Sequence, residues 1–279
     1  MELWLVYQKD NIAGNQFFIN RWEGAAKERG VFLRVVSHED LVYGIHDHQV
    51  FIRHRDQYKL PDVAVMRLNA PLLSAQFELL HIPVFNNAHV ARVCNDKRLT
   101  HQMILPYAPM MDTVFLRGDE ETSPLPYPVV LKAAHGCGGR QVFLVSNENE
   151  FISALSQIRP DSALVQVVCD TPGRDIRAYV LGKRIVRVMQ RLSNEDFRSN
   201  INQGGHAIPY DMKERDLQMV RNIISLFDFG LVGIDFILHQ GRLMFNEIED
   251  AVGTRMLYNL GEFDIVKLYL DEVLQRTMP

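Results

Sequence analysis

Negative charge is concentrated near the end of the chain, in the segment FNEIEDAVGTR (residues 245–255), where three acids follow an apolar run. Strand alternation places Glu247 and Glu249 on one face and points Asp250 the other way, as a turn residue. An edge strand that uses charge to avoid aggregation would have a similar composition. The alternative is that the paired carboxylates hold a cation.

A further acid favours the cation. Asp235 interrupts the apolar stretch VGIDFIL, and an unpaired carboxylate is costly to bury in such a strand. A hairpin with its turn near Gln240 and Gly241 would bring Asp235 across from Glu247. Carboxylates on one sheet face repel one another unless a cation lies among them, and Mg²⁺ binds a few carboxylates together with water and phosphate oxygens. Asp235, Glu247 and Glu249 are therefore the predicted magnesium ligands.

The segment KAAHGCGGRQV (residues 132–142) has the composition of a phosphate-binding loop. Its glycines let backbone N–H groups crowd around phosphate oxygens, and Lys132 adds a positive charge. It is not a Walker A loop, because it lacks the GxxxxGK[ST] pattern and joins two strands rather than a strand and a helix. A flexible hairpin tip is the alternative, with Cys137 as a small filler.

A second hairpin, GRDIRAYVLGKRIVRVMQR (residues 173–191), carries charged residues at alternating positions. Asp175 and Arg177 share a face of its first strand, and Arg187 and Arg191 share a face of its second. Arginines placed across the hairpin would line a cationic groove for phosphate or carboxylate. A solvated sheet face with an ordinary Asp–Arg pair is the alternative.

The elements that position these groups change along the chain. Strand and helix patterns alternate over roughly the first 90 residues, which predicts a parallel sheet. Hairpins follow, then an amphipathic helix and a closing helix. The predicted strands are 3–7, 31–36, 62–68, 83–86, 127–134, 140–146 and 162–169, and the predicted helices are 15–30, 71–80, 147–158, 214–229 and 262–276. The polar, proline-rich stretch 118–128 is the best candidate linker.

Composition excludes several classes of function. The 279 residues are 47% hydrophobic and 23% charged, so a full core can form. A net charge of −4 without a basic run disfavours nucleic-acid binding. The three cysteines have unrelated spacings, which is typical of reduced thiols. No signal peptide or membrane span is indicated, and we expect a cytoplasmic protein.

Several segments together resemble the ATP-grasp superfamily, most closely the RimK-type glutamate ligases. They occur in the family's order from about residue 15 to 258, and include NDKRLT, PVVLKAAHGCGGRQV, DIRAYVLG, FRSNINQGG, VGIDFIL and FNEIE. The resemblance implies a fold of α/β and α+β parts. These are an N-terminal α/β domain (1–90), a small central domain with the glycine-rich loop (91–168) and a C-terminal domain with the acids (169–279). ATP would lie between the last two.

The resemblance also implies roles for individual residues. Lys97 and Lys132 would hold phosphates, and Asp235, Glu247 and Glu249 would hold one or two Mg²⁺ ions, with Mn²⁺ as an alternative metal. The remaining nucleotide residues would be Gly136, Gly138 and Gly139 in the loop, Gln166, Val167 and Val168 at the adenine, and Asp175 and Arg177 near the ribose. Arg191, Arg198 and Asn200 would be catalytic, and Asn15, Arg67, Asn69 and Arg255 would select the substrate.

The chain departs from the family pattern at three places. Glu249 stands where relatives usually have Asn in the metal pair, and Val167 replaces an acid in the hinge that contacts adenine. The segment EDAVGTR replaces the family's Asn-x-x-Pro-Gly ending. That segment lies near the substrate in relatives, so the substrate's identity does not follow from the resemblance.

The predicted activity is ATP-dependent ligation of a carboxylate to an amine through an acyl phosphate. The partners would be a small-molecule or peptide carboxylate and an amine, an amino acid among the candidates, and relatives often form homo-oligomers. Two alternatives are a regulatory module that binds nucleotide without catalysis and a kinase-like enzyme that phosphorylates its substrate without ligation.

Overall fold

Alternating strands and helices build the first third of the chain, and antiparallel hairpins build most of the rest. The computed structural model describes residues 1–55, 59–135, 141–158, 162–193, 197, 206–258, 261 and 263–277. Its strands are β1 (Glu2–Tyr7), β2 (Phe32–Ser37), β3 (Leu41–His46), β4 (Gln49–His54), β5 (Val63–Met66), β6 (Val84–Phe85), β7 (Thr113–Phe115), β8 (Val129–Ala133), β9 (Val142–Val145), β10 (Ala163–Val167), β11 (Arg174–Leu181), β12 (Arg184–Leu192), β13 (His206–Pro209), β14 (Leu231–His239) and β15 (Arg242–Glu249). Its helices are α1 (Lys9–Gly14), α2 (Gln16–Glu28), α3 (Pro71–Leu79), α4 (Ala88–Cys94), α5 (Lys97–Ile104), α6 (Glu148–Leu155), α7 (Glu214–Ser225), α8 (Arg255–Tyr258) and α9 (Ile265–Thr277).

The first sheet is parallel, with strand order β2-β1-β5-β6, which confirms the parallel sheet predicted from the alternating pattern. Helix α2 buries Phe18, Ile19 and Trp22, which recur at helical spacing. Helix α3 begins with Pro71, at a position where the missing N–H would have had no partner inside the helix.

A hairpin of β3 and β4 follows the second strand, although the sequence pattern did not indicate it. Its turn residues Asp47 and His48 have φ angles of 47° and 61°. Two-residue hairpin turns with positive φ usually carry Asn, Asp or Gly at the first position and Gly at the second. Asp47 fits this pattern, but His48 stands where the glycine would be expected, so the turn signal is incomplete.

Two antiparallel sheets follow, in the orders β7-β10-β8-β9 and β13-β12-β11-β14-β15. Strands β8 and β9 pair on either side of the glycine-rich loop, as predicted. The loop residues Gly136, Gly138 and Gly139 lie outside the described residues, as do Arg198 and Asn200.

The hairpin of β14 and β15 has the predicted turn and register. Gln240 and Gly241 have φ angles of 50° and 68°, and Asp235 pairs with Glu247. The register then shifts, because the next pair is Phe236 with Phe245. Asn246 is thus the extra residue of a β-bulge, and such a bulge changes the direction of neighbouring side chains.

The two ends of the chain share one hydrophobic core. Trp22 and Val65 of the N-terminal part pack in the same cluster as Leu231 and Tyr269 of the C-terminal part. Helices α2 and α9 contact each other across this core. Among the described residues, no helix is long and apolar enough to cross a membrane.

Asn86, just after β6, connects the first sheet to β14 and β15. It is 2% exposed. Its Nδ2 donates to the carbonyl oxygens of Leu231 and Asp250 at 3.2 and 2.7 Å, and its Oδ1 accepts from the Gly230 N–H at 2.6 Å. The side chain thereby satisfies three buried backbone groups near the end of β15, the acid-bearing strand that carries Glu247 and Glu249.

Replacing Asn86 with Asp should destabilise the fold. The substitution removes both N–H donors and places a carboxylate against two buried carbonyl oxygens, so the free energy of unfolding should fall by about 2–4 kcal/mol. Urea denaturation followed by circular dichroism measures the change. Asn20→Asp, on the exposed side of α2, is the matched control and should change stability by less than about 0.5 kcal/mol. Equal stability of Asn86→Asp and the wild type would contradict this account of Asn86.

Candidate active site

The Asp235 carboxylate is the centre of a buried charge cluster on β11, β12 and β14. Register places Arg177 opposite Asp235. Arg177 donates through Nε to Oδ1 at 2.7 Å and through Nη2 to Oδ2 at 2.6 Å, and Arg191 Nη2 also donates to Oδ2 at 2.6 Å. Asp235 is 0% exposed. Burial alone would raise the pKa of Asp235, but the two arginines lower it below its ordinary value.

Asp175 and Arg191 form a second buried pair in the same cluster. Arg191 Nε and Nη2 donate to the two Asp175 oxygens at 2.6 and 2.5 Å. Asp175 is 7% exposed and Arg191 is 4% exposed. The Asp175–Arg191 pair is therefore not on a solvated face, although Arg187, further along the same strand, is exposed. Ribose contact by Asp175 and phosphate contact by Arg191 stay predictions.

The two glutamates of β15 lie at the open side of the cluster. Glu247 pairs with Lys97 at 3.0 Å, and Glu249 pairs with Arg177 at 2.8 Å. Their side chains are 24% and 26% exposed. Burial opposes ionisation of Glu247, but Lys97 lowers the pKa of Glu247 below its ordinary value. Glu247 is therefore negatively charged, and both glutamates are accessible.

The predicted metal ligands converge. One carboxylate oxygen from each of Asp235, Glu247 and Glu249 lies within 4.8 Å of the others. These hard oxygen donors suit Mg²⁺. Glu247 and Glu249 have accessible surface to offer, whereas Asp235 is enclosed by its arginines. The residues thus fit a divalent cation, with the two glutamates as the accessible ligands.

Lys132 on β8 connects the middle sheet to the acid-bearing strand. Its Nζ donates to Gln166 Oε1 at 2.7 Å and to Asn246 Oδ1 at 2.9 Å. Gln166 also donates to Thr113 Oγ1 at 3.0 Å. Burial lowers the pKa of Lys132 to about 8, and Lys97 contributes in the same direction while Glu247 opposes it. Lys132 is therefore a buried cation that loses its proton just above neutral pH.

A cavity of about 430 Å³ borders the glutamates. It lies between the carboxyl ends of the first sheet's strands and the end of β15. Three of the four residues predicted to select the substrate line it, together with Lys97 and both glutamates. The lining residues include Tyr7, Gln8, Asn11, Asn15, Arg67, Asn69, Asn95, Lys97, His135, Glu247, Glu249 and Asp250.

The other predicted binding residues are elsewhere. Arg255 is exposed and donates to the carbonyl oxygen of Gly14, so it does not line this cavity. Val167 and Val168, at the end of β10, are half-buried, and the Val167 N–H donates to the Asp112 carbonyl at 3.1 Å. Adenine contact at this hinge stays a prediction.

The structure adds site residues that sequence reasoning missed. Asn246 accepts from Lys132 through its side chain and from His101 Nε2 through its carbonyl, at 2.9 Å in each case. Two consecutive polar residues after Phe245 break strict strand alternation, and that break was the available signal for a bulge. Asp250 is 5% exposed and lines the cavity, and burial raises its pKa to about 6. Asp250 is a turn residue, as predicted, but the sequence did not indicate that it is buried beside the cavity.

Comparison with known proteins identifies related sequences. Residues 118–272 match the model of the RimK-like ATP-grasp domain. A probable alpha-L-glutamate ligase of Pasteurella multocida (strain Pm70) is 26% identical over 198 residues, covering 68% of this chain and 63% of that protein. Beta-citrylglutamate synthase B of Danio rerio is 26% identical over 276 residues, covering 90% of this chain and 68% of that protein. The match thus spans less than two thirds of the bacterial relative's length.

Solved structures share the architecture. The RimK domain ATP-grasp protein of Sphaerobacter thermophilus DSM 20745 aligns with a TM-score of 0.76 at 18% identity, over 98% of this chain and 100% of that chain. D-alanine–D-alanine ligase of Bacillus anthracis, complexed with ATP, aligns with a TM-score of 0.74 at 15% identity, over 100% of this chain and 97% of that chain. At these identities the likeness establishes the ATP-grasp fold alone.

The affinity for ATP should fall as the pH rises past 8. Lys132 is protonated below its pKa of about 8 and neutral above it, and a neutral lysine gives up its attraction for phosphate. Between pH 7 and pH 9 the dissociation constant should rise about tenfold, as measured by calorimetry. Lys132→Arg, which keeps its charge throughout this range, should show no comparable rise. An unchanged wild-type affinity between the two pH values would contradict the role given to Lys132.

Proposed function

The chain belongs to the RimK-like ATP-grasp family of carboxylate–amine ligases, and we propose that it activates a carboxylate with ATP and joins it to an amine. The observation that carries the proposal is the convergence of Lys97 with Glu247 and Glu249 beside a cavity that reaches the N-terminal sheet. Cations that could bind phosphate, acids that could bind a metal ion and a cavity thus adjoin one another, which supports transfer of a phosphoryl group to a bound carboxylate.

In this proposal, ATP binds between residues 91–168 and 169–279. Lys132 and Lys97 hold its phosphates, and Gln166 orients Lys132 through the 2.7 Å hydrogen bond. When bound, Mg²⁺ would neutralise phosphate oxygens from its place at Glu247 and Glu249. The glycine-rich loop, which lies outside the described residues, would cover the triphosphate.

The reaction has two steps. A carboxylate oxygen of the first substrate attacks the γ-phosphorus of ATP, the bond to the bridging oxygen breaks, and ADP leaves. The amine nitrogen of the second substrate then attacks the acyl carbon, phosphate leaves with the electron pair of the broken C–O bond, and the nitrogen loses a proton. This chain's residues position both substrates and compensate the charge on the transferred phosphoryl group.

The activated carboxylate can be trapped with hydroxylamine. Incubation of the protein with Mg-ATP, hydroxylamine and a panel of amino acids, dicarboxylates and short peptides should release ADP and form a hydroxamate with at least one acid. A phosphorylated acid that never yields hydroxamate would point to a kinase instead. Nucleotide binding without ADP release for any acid would contradict the ligase proposal.

Glu247→Gln should abolish this turnover while the protein stays folded. The substitution removes a charged ligand of the predicted metal site, and we expect at least about a hundredfold loss of rate. Circular dichroism checks the fold. Glu214→Gln, which removes an exposed acid of α7 whose ion-pair partner is Arg221, is the matched control and should retain wild-type turnover. Undiminished turnover in Glu247→Gln would show that this glutamate has no role in catalysis.

A further inference from the structure

The N-terminal wall of the cavity is built where two parallel strands end side by side. Tyr7 is the last residue of β1, and Arg67 directly follows β5. The strands pair with Val6 beside Met66, and the Arg67 N–H donates to the Val6 carbonyl at 2.8 Å. Tyr7 and Arg67 are thus neighbours at the carboxyl edge of the sheet. This edge is where open parallel sheets usually bind ligands.

Both side chains have a buried donor without a partner among the described residues. Tyr7 is 2% exposed and its hydroxyl lies beside the Arg67 guanidinium, but the Tyr7 O–H has no acceptor and Arg67 Nε has no partner among the described residues. Buried polar groups in folded proteins are nearly always hydrogen-bonded. An unsatisfied pair in the wall of a cavity therefore indicates a missing partner.

The partner must be an acceptor. A guanidinium cannot accept a hydrogen bond. Burial raises the pKa of Tyr7, with Arg67 opposing the rise, so the hydroxyl keeps its proton at neutral pH. The two neighbouring donors together would suit an oxygen that carries negative charge.

Arg67 is fixed in place but has no carboxylate partner. Its Nη2 donates to the Val252 carbonyl at 2.8 Å, and its guanidinium lies over the Phe18 ring at 4.8 Å. In the described part of the chain, the ion pairs of Arg177 and Arg191 satisfy those buried arginines, whereas no ion pair includes Arg67. Its positive charge is therefore held in a fixed position beside the cavity.

The glutamates of β15 bring negative charge to the same cavity. Glu247 and Glu249 line it together with Arg67 and Tyr7, and Asp250 lies close enough to Arg67 for the guanidinium to oppose the rise in the Asp250 pKa. A carboxylate entering the cavity is therefore repelled by the glutamates and attracted by Arg67. This asymmetry orients a ligand that has a carboxylate at only one end.

We infer that Tyr7 and Arg67 bind a carboxylate of the substrate that takes no part in the new bond, with the reacting end of the same molecule directed toward Lys97 and the glutamates. The inference rests on the proposed function for the meaning of the reacting end. Two sources supply such a carboxylate: an amino acid that reacts through its amine, and a dicarboxylic acid that reacts through its other carboxylate. The nonreacting carboxylate is common to both.

Calorimetry on the full chain without nucleotide tests this inference. The probes are L-glutamate, L-alanine and glutarate, each compared with the analogue in which one carboxylate is an amide. At least one acid should bind, and its amide should bind more weakly by about tenfold or more. If glutarate binds and the amino acids do not, the carboxylate belongs to a dicarboxylic acid. If an amino acid binds and glutarate does not, the carboxylate belongs to an amino acid.

Tyr7→Phe removes a single oxygen and should weaken binding of the acid by about tenfold. The affinity of the variant for the amide should equal the affinity of the wild type for the amide. Arg67→Lys, which keeps the charge but loses the fixed N–H edge, should weaken binding of the acid at least as much. Tyr43→Phe, in the β3–β4 hairpin and outside the cavity, is the matched control and should bind like the wild type. ATP should bind to all of these variants with unchanged affinity.

Wild-type affinity in Tyr7→Phe would overturn the inference, as would failure of every acid to bind the wild-type protein. The hydroxylamine assay measures turnover, and its result is independent of this binding test. Carboxylate binding that depends on Tyr7, in a protein that never forms a hydroxamate, would support the subsite and refute the ligase proposal.

Discussion

The burial of the Asp235 carboxylate between two arginines constrains the whole C-terminal sheet. A charged group with no exposed surface is tolerated only when its oxygens are bonded to opposite charges, and loss of one partner from such a pair typically costs about 3–5 kcal/mol. Arg177 and Arg191 meet this requirement from β11 and β12, which ties both strands to β14. The same arginines also pair with Glu249 and Asp175, so these two acids are held in the same network as Asp235, whereas Glu247 is paired with Lys97.

This cluster provides a counter-ion for Glu249, at the position where the resemblance to the RimK-type ligases leads us to expect Asn. The added negative charge has its own counter-ion, because Arg177 holds Glu249 at 2.8 Å while bonding Asp235. Three cations, Arg177, Arg191 and Lys97, face the four carboxylates of the cluster, and Lys132 lies close by. A divalent cation alone would leave this region with excess positive charge. A triphosphate that arrives with the ion supplies negatively charged oxygens as further ligands, so metal and nucleotide should bind together.

Local sequence rules predicted the features that depend on residues close together in the chain, such as the pairing within a hairpin. Alternation and a Gln-Gly turn were enough to place Asp235 across from Glu247. The sequence did not reveal that Arg177 neutralises Asp235, because that pairing depends on β11 lying beside β14. Arg177 and Asp235 are 58 positions apart in the chain. The bulge at Asn246 and the β3–β4 hairpin were missed because each departs from the usual pattern, one in alternation and one in turn composition. The unsatisfied Tyr7 hydroxyl depends on tertiary packing, so no local pattern indicates it.

The central claim is that Glu247 and Glu249 hold the metal ion of bound ATP while Asp235 stays with its arginines. Anomalous diffraction from crystals grown with Mn²⁺ and a non-hydrolysable ATP analogue tests it most directly. The account predicts an anomalous peak about 2–2.5 Å from both glutamate carboxylates and from phosphate oxygens, with Arg177 still bonded to Asp235. An ion held by phosphates and water alone, with Glu247 still paired to Lys97, would contradict it.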